Sequence, residues 1–191
     1  MFDIATISLL CVFFIIFFTR ILILRKQNIK VFVFGKTHKS DFILMPLMLA
    51  YIYIIVSSAT NLPMPAVLKT PLFQSTAAVY IGLLLSLSGL VLFAWALQSF
   101  KSSFRVGIDT QKPDKLITSG AFAVSRNPIY VAFSLFFLGI LLIHPNIAIA
   151  IAYFCVFIPA IYRQILREEK FMKSYYGQEY LDYAKKVRRY L

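Results

Sequence analysis

The regular alternation of apolar runs with basic segments constrains this chain more than any other feature. Five runs read as helices surrounded by lipid: Ile4 to Leu24, Phe42 to Ala59, Thr76 to Gln98, Pro128 to Ile143 and Ile147 to Tyr162. About 20 apolar residues cross a bilayer core as a helix, and helices are favoured there because the backbone must satisfy its own hydrogen bonds. The first run has no basic stretch ahead of it and no small-residue cleavage site, so it reads as an uncleaved span. The cations then sort by segment. Arg20, Arg25, Lys26, Lys30, Lys36 and Lys39 follow the first run, and Lys69 alone follows the second. Lys101, Arg105, Lys112, Lys115 and Arg126 follow the third, none falls between the fourth and fifth, and eight lie after the fifth. Basic segments stay on the cytoplasmic side. The pattern therefore predicts an odd number of spans, with five as the fit, an outside N-terminus and a cytoplasmic C-terminus.

Composition narrows the function classes. Residues are 60% hydrophobic and only 15% charged, which leaves no room for a separate soluble catalytic domain of about 100 residues. The net charge of +12 would suit nucleic acid or an anionic lipid surface, and the apolar content selects the lipid surface. Cys11 and Cys155 both fall in apolar runs and read as inert core thiols. With only His38 and His144 beside them, a Cys/His metal site is not expected. The fold class is thus all-α: a polytopic membrane protein with about five transmembrane helices and interfacial helices at the C-terminus. In that tail Ile165, Leu166, Met172 and Tyr176, then Tyr180, Tyr183, Ala184 and Val187, recur at helical spacing, with Gly177 as the break. Residues 1–105 read as a transmembrane scaffold and 106–191 as the functional region.

Two polar clusters flank the last two apolar runs, which form a helical hairpin around His144-Pro145-Asn146 and so return both clusters to the cytoplasmic face. The first is Asp114 to Tyr130 and the second Arg163 to Glu169. Asn127-Pro128 reads as a helix start, with Asn127 as N-cap and Pro128 in the first turn. Such a terminus either simply caps a span or holds an anionic group on its N–H donors. Ser119-Gly120 is a turn. Glu168-Glu169 stands out in a chain with eight acids. The pair either binds hydroxyl or ammonium groups of a ligand or joins Arg163 or Arg167 in an interface network. Arg163 is either a snorkelling anchor or a ligand for an anionic head. Gly82 and Gly89 lie among small residues, suited to close helix packing within the chain or between chains.

These residues carry a resemblance. LITSGAFAVSRNPIY (Leu116–Tyr130) resembles L-V-T-S-G-x-Y-x-x-x-R-H-P-x-Y, and Glu168-Glu169 followed by Tyr176 to Tyr183 resembles E-E…F-G-x-E-Y-x-x-Y. Both motifs belong to the isoprenylcysteine carboxyl methyltransferase family, integral membrane enzymes related to phospholipid methyltransferases. The resemblance spans roughly Val106 to Val187. It implies S-adenosyl-L-methionine as cofactor and a lipophilic or prenylated small-molecule acceptor, in a membrane and with no nucleic acid partner. It implies a cofactor pocket lined by Asp114, Lys115, Leu116, Ile117, Phe122, Asn127, Pro128, Ile129, Tyr130 and Glu168, with Arg163 near the family's catalytic, substrate-contacting arginine. The chain departs from the pattern in three places. Asn127 and Asp114 stand where the family has histidines, and Arg163 lies one residue further from the glutamate pair, which puts Gln164 in register. A carboxylate acceptor is already ionised at neutral pH and needs no base. Two other readings are a lipid or sterol reductase using NADPH and a non-catalytic membrane protein that keeps the fold.

Overall fold

Why the apolar runs become helices, and how their ends pair off, is visible in a computed structural model of the chain. It describes residues 2–29, 31, 41–60, 62–105 and 115–191, with side chains described throughout except at 41–45. Asp114 falls outside the described residues. The described chain is helical, and its only strand-like pairing among those residues is one isolated bridge between Pro71 and Asn146. The helices are α1 (Phe2–Lys26), α2 (Asp41–Ala59), the single turn α3 (Ala66–Lys69), α4 (Thr76–Ser99), α5 (Pro128–Ile143), α6 (Ile147–Ile151), α7 (Ile158–Tyr176) and α8 (Gln178–Lys186). A π-helical turn, Ala152–Phe157, joins α6 to α7, so Ile147–Tyr176 is one rod. The widened turn ends two residues before Pro159, which has no N–H to donate to the carbonyl four residues back.

Three helices among the described residues are long and apolar enough to cross a membrane: Phe2–Lys26, Thr76–Ser99 and Ile147–Tyr176. The other two apolar runs form shorter helices. At 16 residues, α5 is about 24 Å long. The third long helix is a finding beyond the apolar pattern, because the rod continues 14 residues past Tyr162 after its sequence turns polar. Gly177, with φ of +53°, breaks it from α8 as its position suggested.

Packing centres on α4 and α5, whose backbones touch. A Cβ on Gly89 would lie 2.7 Å from the Phe136 nitrogen and 2.8 Å from the Ala132 carbonyl. One on Gly82 would lie 2.6 Å from the Gly139 carbonyl. The small residues Gly82, Ser86 and Gly89 therefore serve packing within the chain, and the Ser86 hydroxyl donates to the Phe136 carbonyl at 3.2 Å. Around this seam lies an aromatic core, where Phe13 of α1 stacks on Phe93 and Phe136 at 5.0 and 5.1 Å between centroids. Cys11 and Cys155, expected in the core, are instead exposed on helix surfaces. The apolar runs have no inside in sequence, since every face of a helix in lipid is apolar.

Polar contacts sort the helix ends into two groups. Thr6, near the start of α1, pairs with His144 at the end of α5 at 2.9 Å. Nearby, Asn146 donates to Ser58 at the end of α2 and caps α6 by accepting from the Ile149 N–H, each at 2.9 Å. At the opposite ends, Arg20 of α1 donates to the Lys101 carbonyl just past α4. There too the Ala121 N–H donates to the Ser99 hydroxyl at 3.0 Å, which sets the segment before α5 against the end of α4.

Candidate active site

The segment leading into α5 is built to turn sharply against α4. Ser119 is extended, and Gly120 has φ of +65° with its missing Cβ only 2.4 Å from the Ser99 oxygen, so no larger residue fits. A 3-10 turn, Gly120–Ala123, then buries Phe122 edge-on to Phe100 at 4.6 Å. From this turn the chain runs through Ser125 and Asn127 into α5, both buried. Pro128 occupies the first helical turn without an N–H to satisfy.

Asn127 does not cap α5. Its side chain makes no cap hydrogen bond; instead Nδ2 donates to the Arg189 carbonyl at 3.1 Å. Ser125 Oγ donates to the same carbonyl at 3.3 Å and accepts from the Asn127 N–H at 3.1 Å. The Arg126 N–H donates to the Arg188 carbonyl at 2.9 Å. These contacts make residues 188–189 a strap laid across the entrance to α5, beginning where α8 ends at Lys186. The N-cap expectation fails in the side chain's geometry: the amide is oriented to place Nδ2 on the strap carbonyl, the backbone at Asn127 (φ −130°, ψ 52°) is not the extended conformation usual for a cap, and Oδ1 accepts from no first-turn N–H. Those first-turn donors, minus the one Pro128 lacks, have no intrahelical acceptor and no side-chain cap.

Charge locks the strap in place. Glu169, 6% exposed, receives the Arg189 Nε and Nη2 at 3.0 and 2.8 Å and faces Arg126 Nη2 at 3.4 Å. Arg126 also donates to the Tyr180 hydroxyl at 3.3 Å. The hydrogen bond to Glu169 raises the Arg189 pKa above its ordinary value. On α8, Tyr183 donates to the Phe122 carbonyl at 2.6 Å, and burial, with Tyr180 beside it, pushes the Tyr183 phenol up to about 12. Of the two expected roles for the glutamate pair, Glu169 takes the interface one, with Arg126 and Arg189 as its partners.

Glu168 faces elsewhere. The Tyr130 hydroxyl donates to its Oε1 at 2.5 Å, and Gln164 Nε2 donates to the same oxygen at 2.9 Å. The Gln164 Oε1 is buried with no hydrogen-bond partner. The fold therefore brings Tyr130, Gln164 and Glu168 together beside the start of α5, with buried Asn127, Pro128 and Phe122 close in sequence and half-buried Ile129 completing the first turn. Leu116 and Ile117 are half-buried, and Lys115 is exposed. Arg163 is exposed on α7 and lies outside this cluster, while Gln164, the residue in register, lies inside it. Sequence reasoning missed Ser125, Arg126 and Arg189. Ser125 and Arg126 lay inside the quoted motif and Arg189 was only one of the tail's positive charges, and the strap's acceptors are backbone carbonyls that no motif displays.

A family model described as phospholipid methyltransferase matches residues 77–179. The matched stretch runs from α4 through the turn, α5 and the α6–α7 rod, and stops before the strap. Relatives are similar over less of their length. The probable protein-S-isoprenylcysteine O-methyltransferase of Oryza sativa subsp. japonica is 30% identical over 110 residues, which is 56% of this chain and 58% of the relative. Protein-S-isoprenylcysteine O-methyltransferase B of Arabidopsis thaliana is 29% identical over 108 residues, 56% of this chain and 55% of the relative. The Xenopus laevis protein-S-isoprenylcysteine O-methyltransferase is 28% identical over 141 residues, 73% of this chain and 49% of the relative. The chain thus spans about half the length of the curated relatives it matches. Since the matched stretch covers more than half of the 191 residues and contains Tyr130, Gln164 and Glu168, this chain belongs to the phospholipid methyltransferase family, with isoprenylcysteine carboxyl methyltransferases as its relatives.

Proposed function

We propose that this chain is a membrane-embedded methyltransferase that moves a methyl group from S-adenosylmethionine to a lipophilic acceptor, of the prenylcysteine-carboxylate type or a similar lipid. The observation that carries the reading is the convergence of Tyr130, Gln164 and Glu168, all inside the family-matched stretch, next to a helix start whose N–H donors have no side-chain cap. The residues fit the cofactor. It carries an ammonium and ribose hydroxyls as donors, and the buried, unpartnered Gln164 Oε1 is an acceptor for one of them. It carries a carboxylate, and the first turn of α5 offers N–H donors and the positive end of a helix dipole. When bound, S-adenosylmethionine supplies an electrophilic methyl group on a sulfonium.

The chain's own residues then bind, orient and exclude water. Tyr130 and Gln164 fix the Glu168 carboxylate, and the Arg188–Arg189 strap covers the entrance to α5. An acceptor carboxylate needs no base to become nucleophilic, which agrees with a site that has no histidine among its described residues. Opposite charges cancel in such a transfer, so a site closed to water favours it, provided the reacting atoms are held in line. Arg163, exposed on α7 one residue before Gln164, is assigned to the anionic end of the acceptor, outside the cofactor pocket.

In this reading the chain crosses the membrane five times, with α2 and α5 as short spans, the N-terminus outside and the site facing the cytoplasm. The pairing of helix ends into two groups supports an odd number of passes, and the basic segments lie with the site's group. Residues 1–105 serve as scaffold and 106–191, together with the packing face of α4, carry the chemistry. The test is to incubate membranes containing the chain with methyl-labelled cofactor and extract the lipid. A base-labile labelled product is the expected ester, and a base-stable one replaces the carboxylate with an amine or thiol acceptor. Calorimetry on the purified chain that gives no heat of S-adenosylmethionine binding overturns the reading.

A further inference from the structure

A concavity lies along α7, and Tyr130, Gln164 and Glu168 are not among its lining residues. It has a volume of about 450 Å³ and is lined by Leu166, Glu169, Lys170, Lys173, Ser174 and Arg189. Three cations face one carboxylate there, and that carboxylate already holds Arg189 by both oxygens. Lys170 and Lys173 are exposed and have no ion pair among the described residues. The cleft therefore has two uncompensated positive charges and the Ser174 hydroxyl at its wall.

The face leading into it is ordered. Tyr162, Leu166, Lys170 and Lys173 follow one another at spacings of four, four and three, which sets them on one side of a helix. The first two are exposed apolar residues, at 47% and 40% exposure, and the last two are exposed cations. The rod thus changes from apolar to basic along one exposed stripe as it runs from its lipid-length apolar part toward Tyr176. An anionic phospholipid has the same sequence of properties, an acyl chain followed by a phosphate.

We propose that this cleft binds an anionic phospholipid, with the headgroup phosphate between Lys170 and Lys173 and an acyl chain along Leu166 and Tyr162. None of its lining residues belongs to the Tyr130, Gln164 and Glu168 cluster, and the site does not depend on the methyltransferase reading. Because Arg189 lines the cleft and also anchors the strap, lipid in the cleft adds a negative group beside the strap's own anchor. Neither the charge count of the tail nor the family match predicts a cleft at this place.

The test uses the full chain, purified in a neutral detergent and titrated with phosphatidylglycerol, with bound lipid counted by native mass spectrometry. Phosphatidylglycerol is expected to bind and phosphatidylcholine not to. The variant K170Q/K173Q should bind about 30-fold more weakly, the equivalent of about 1 kcal/mol for each cation near a lipid surface. The variant K185Q/K186Q removes as much charge from α8, outside the cleft, and should stay within about twofold of the parent. Equal loss in both variants, or no loss in either, overturns the site. Equal binding of phosphatidylcholine overturns the choice of an anionic lipid. Displacement of the lipid by millimolar inorganic phosphate would assign the cleft to a free anion and overturn the lipid.

Discussion

Removing the Glu169 carboxylate should release the strap, and the structure sets the size of the effect. Glu169 is nearly fully buried and meets two guanidinium groups, Arg189 in a two-point contact and Arg126 at 3.4 Å. Deleting one member of a buried pair costs about 3–5 kcal/mol, because the remaining charge is left unmatched. Here the Arg189 side chain is 35% exposed and can turn to water, so the cost falls toward about 3 kcal/mol for Glu169→Ala. Arg189→Ala should cost only about 1 kcal/mol, since Arg126 still neutralises Glu169. A double-mutant cycle then yields a coupling of about 1 kcal/mol or more. Unfolding of the detergent-solubilised chain by added SDS reads the stabilities, and trypsin cleavage at Lys185, Lys186 or Arg188 reads the strap. An opening made easier by up to about 3 kcal/mol raises the cleavable population by up to about 150-fold when opening is fast. Coupling below about 0.5 kcal/mol, or cleavage that stays at the parental rate in Glu169→Ala, would refute the claim that this carboxylate holds the tail.

Gly89→Ala forces a Cβ to within 2.7 Å of the Phe136 nitrogen, so α4 and α5 must separate. Expect about 2 kcal/mol of destabilisation in the same SDS titration, with Ser88→Ala, on the exposed face of α4, as the neutral comparison. Tyr130→Phe removes the hydroxyl that fixes Glu168 and should weaken S-adenosylmethionine binding about tenfold in calorimetry, in line with a hydrogen bond to a charged group. Tyr183 ionises near 10 when unfolded and at about 12 when folded. Its contribution is therefore intact below pH 10 and lost as pH rises from 10 to 12. Tyr183→Phe should start less stable by about 1–3 kcal/mol, from the unpaired Phe122 carbonyl, and fall less steeply over that window in melting experiments.

The features legible in the sequence were those with a period or a local signature. Helices α1, α2, α4 and α5 follow from apolar runs, Gly177 from its place between two amphipathic patterns, and a close-packing face on α4 from Gly82 and Gly89, though not its partner α5. Helix up to Tyr176 was legible from the spacing of Ile165, Leu166, Met172 and Tyr176, but its continuity with the last apolar run was not, because loss of apolarity after Tyr162 marks the edge of a hydrophobic stretch and not the end of a helix. Glu168 and Tyr130 were found through motif spacing. Glu169's partners were not, since Arg126 and Arg189 are 43 and 20 residues away along the chain and nothing local links them.

Asn127 gives the most informative mismatch. A capping role was the local reading, and a histidine was the family pattern. The structure instead joins its amide to a carbonyl 62 residues away. That partner explains why a residue that cannot titrate suits the position. An amide offers N–H donors at every pH, whereas an imidazole's donor depends on its tautomer and charge. Ser125, the neighbouring donor to the same carbonyl, is also insensitive to pH. The strap is thus held from the α5 side by groups without a proton to gain or lose, and from the α7 side by a carboxylate between two guanidiniums. Where the motif this segment resembles has a titratable histidine, this chain has an amide that donates to the strap at every pH. In that case Asn127→His should loosen the strap, and faster trypsin cleavage of the tail at pH 8 than in the parent would register the change.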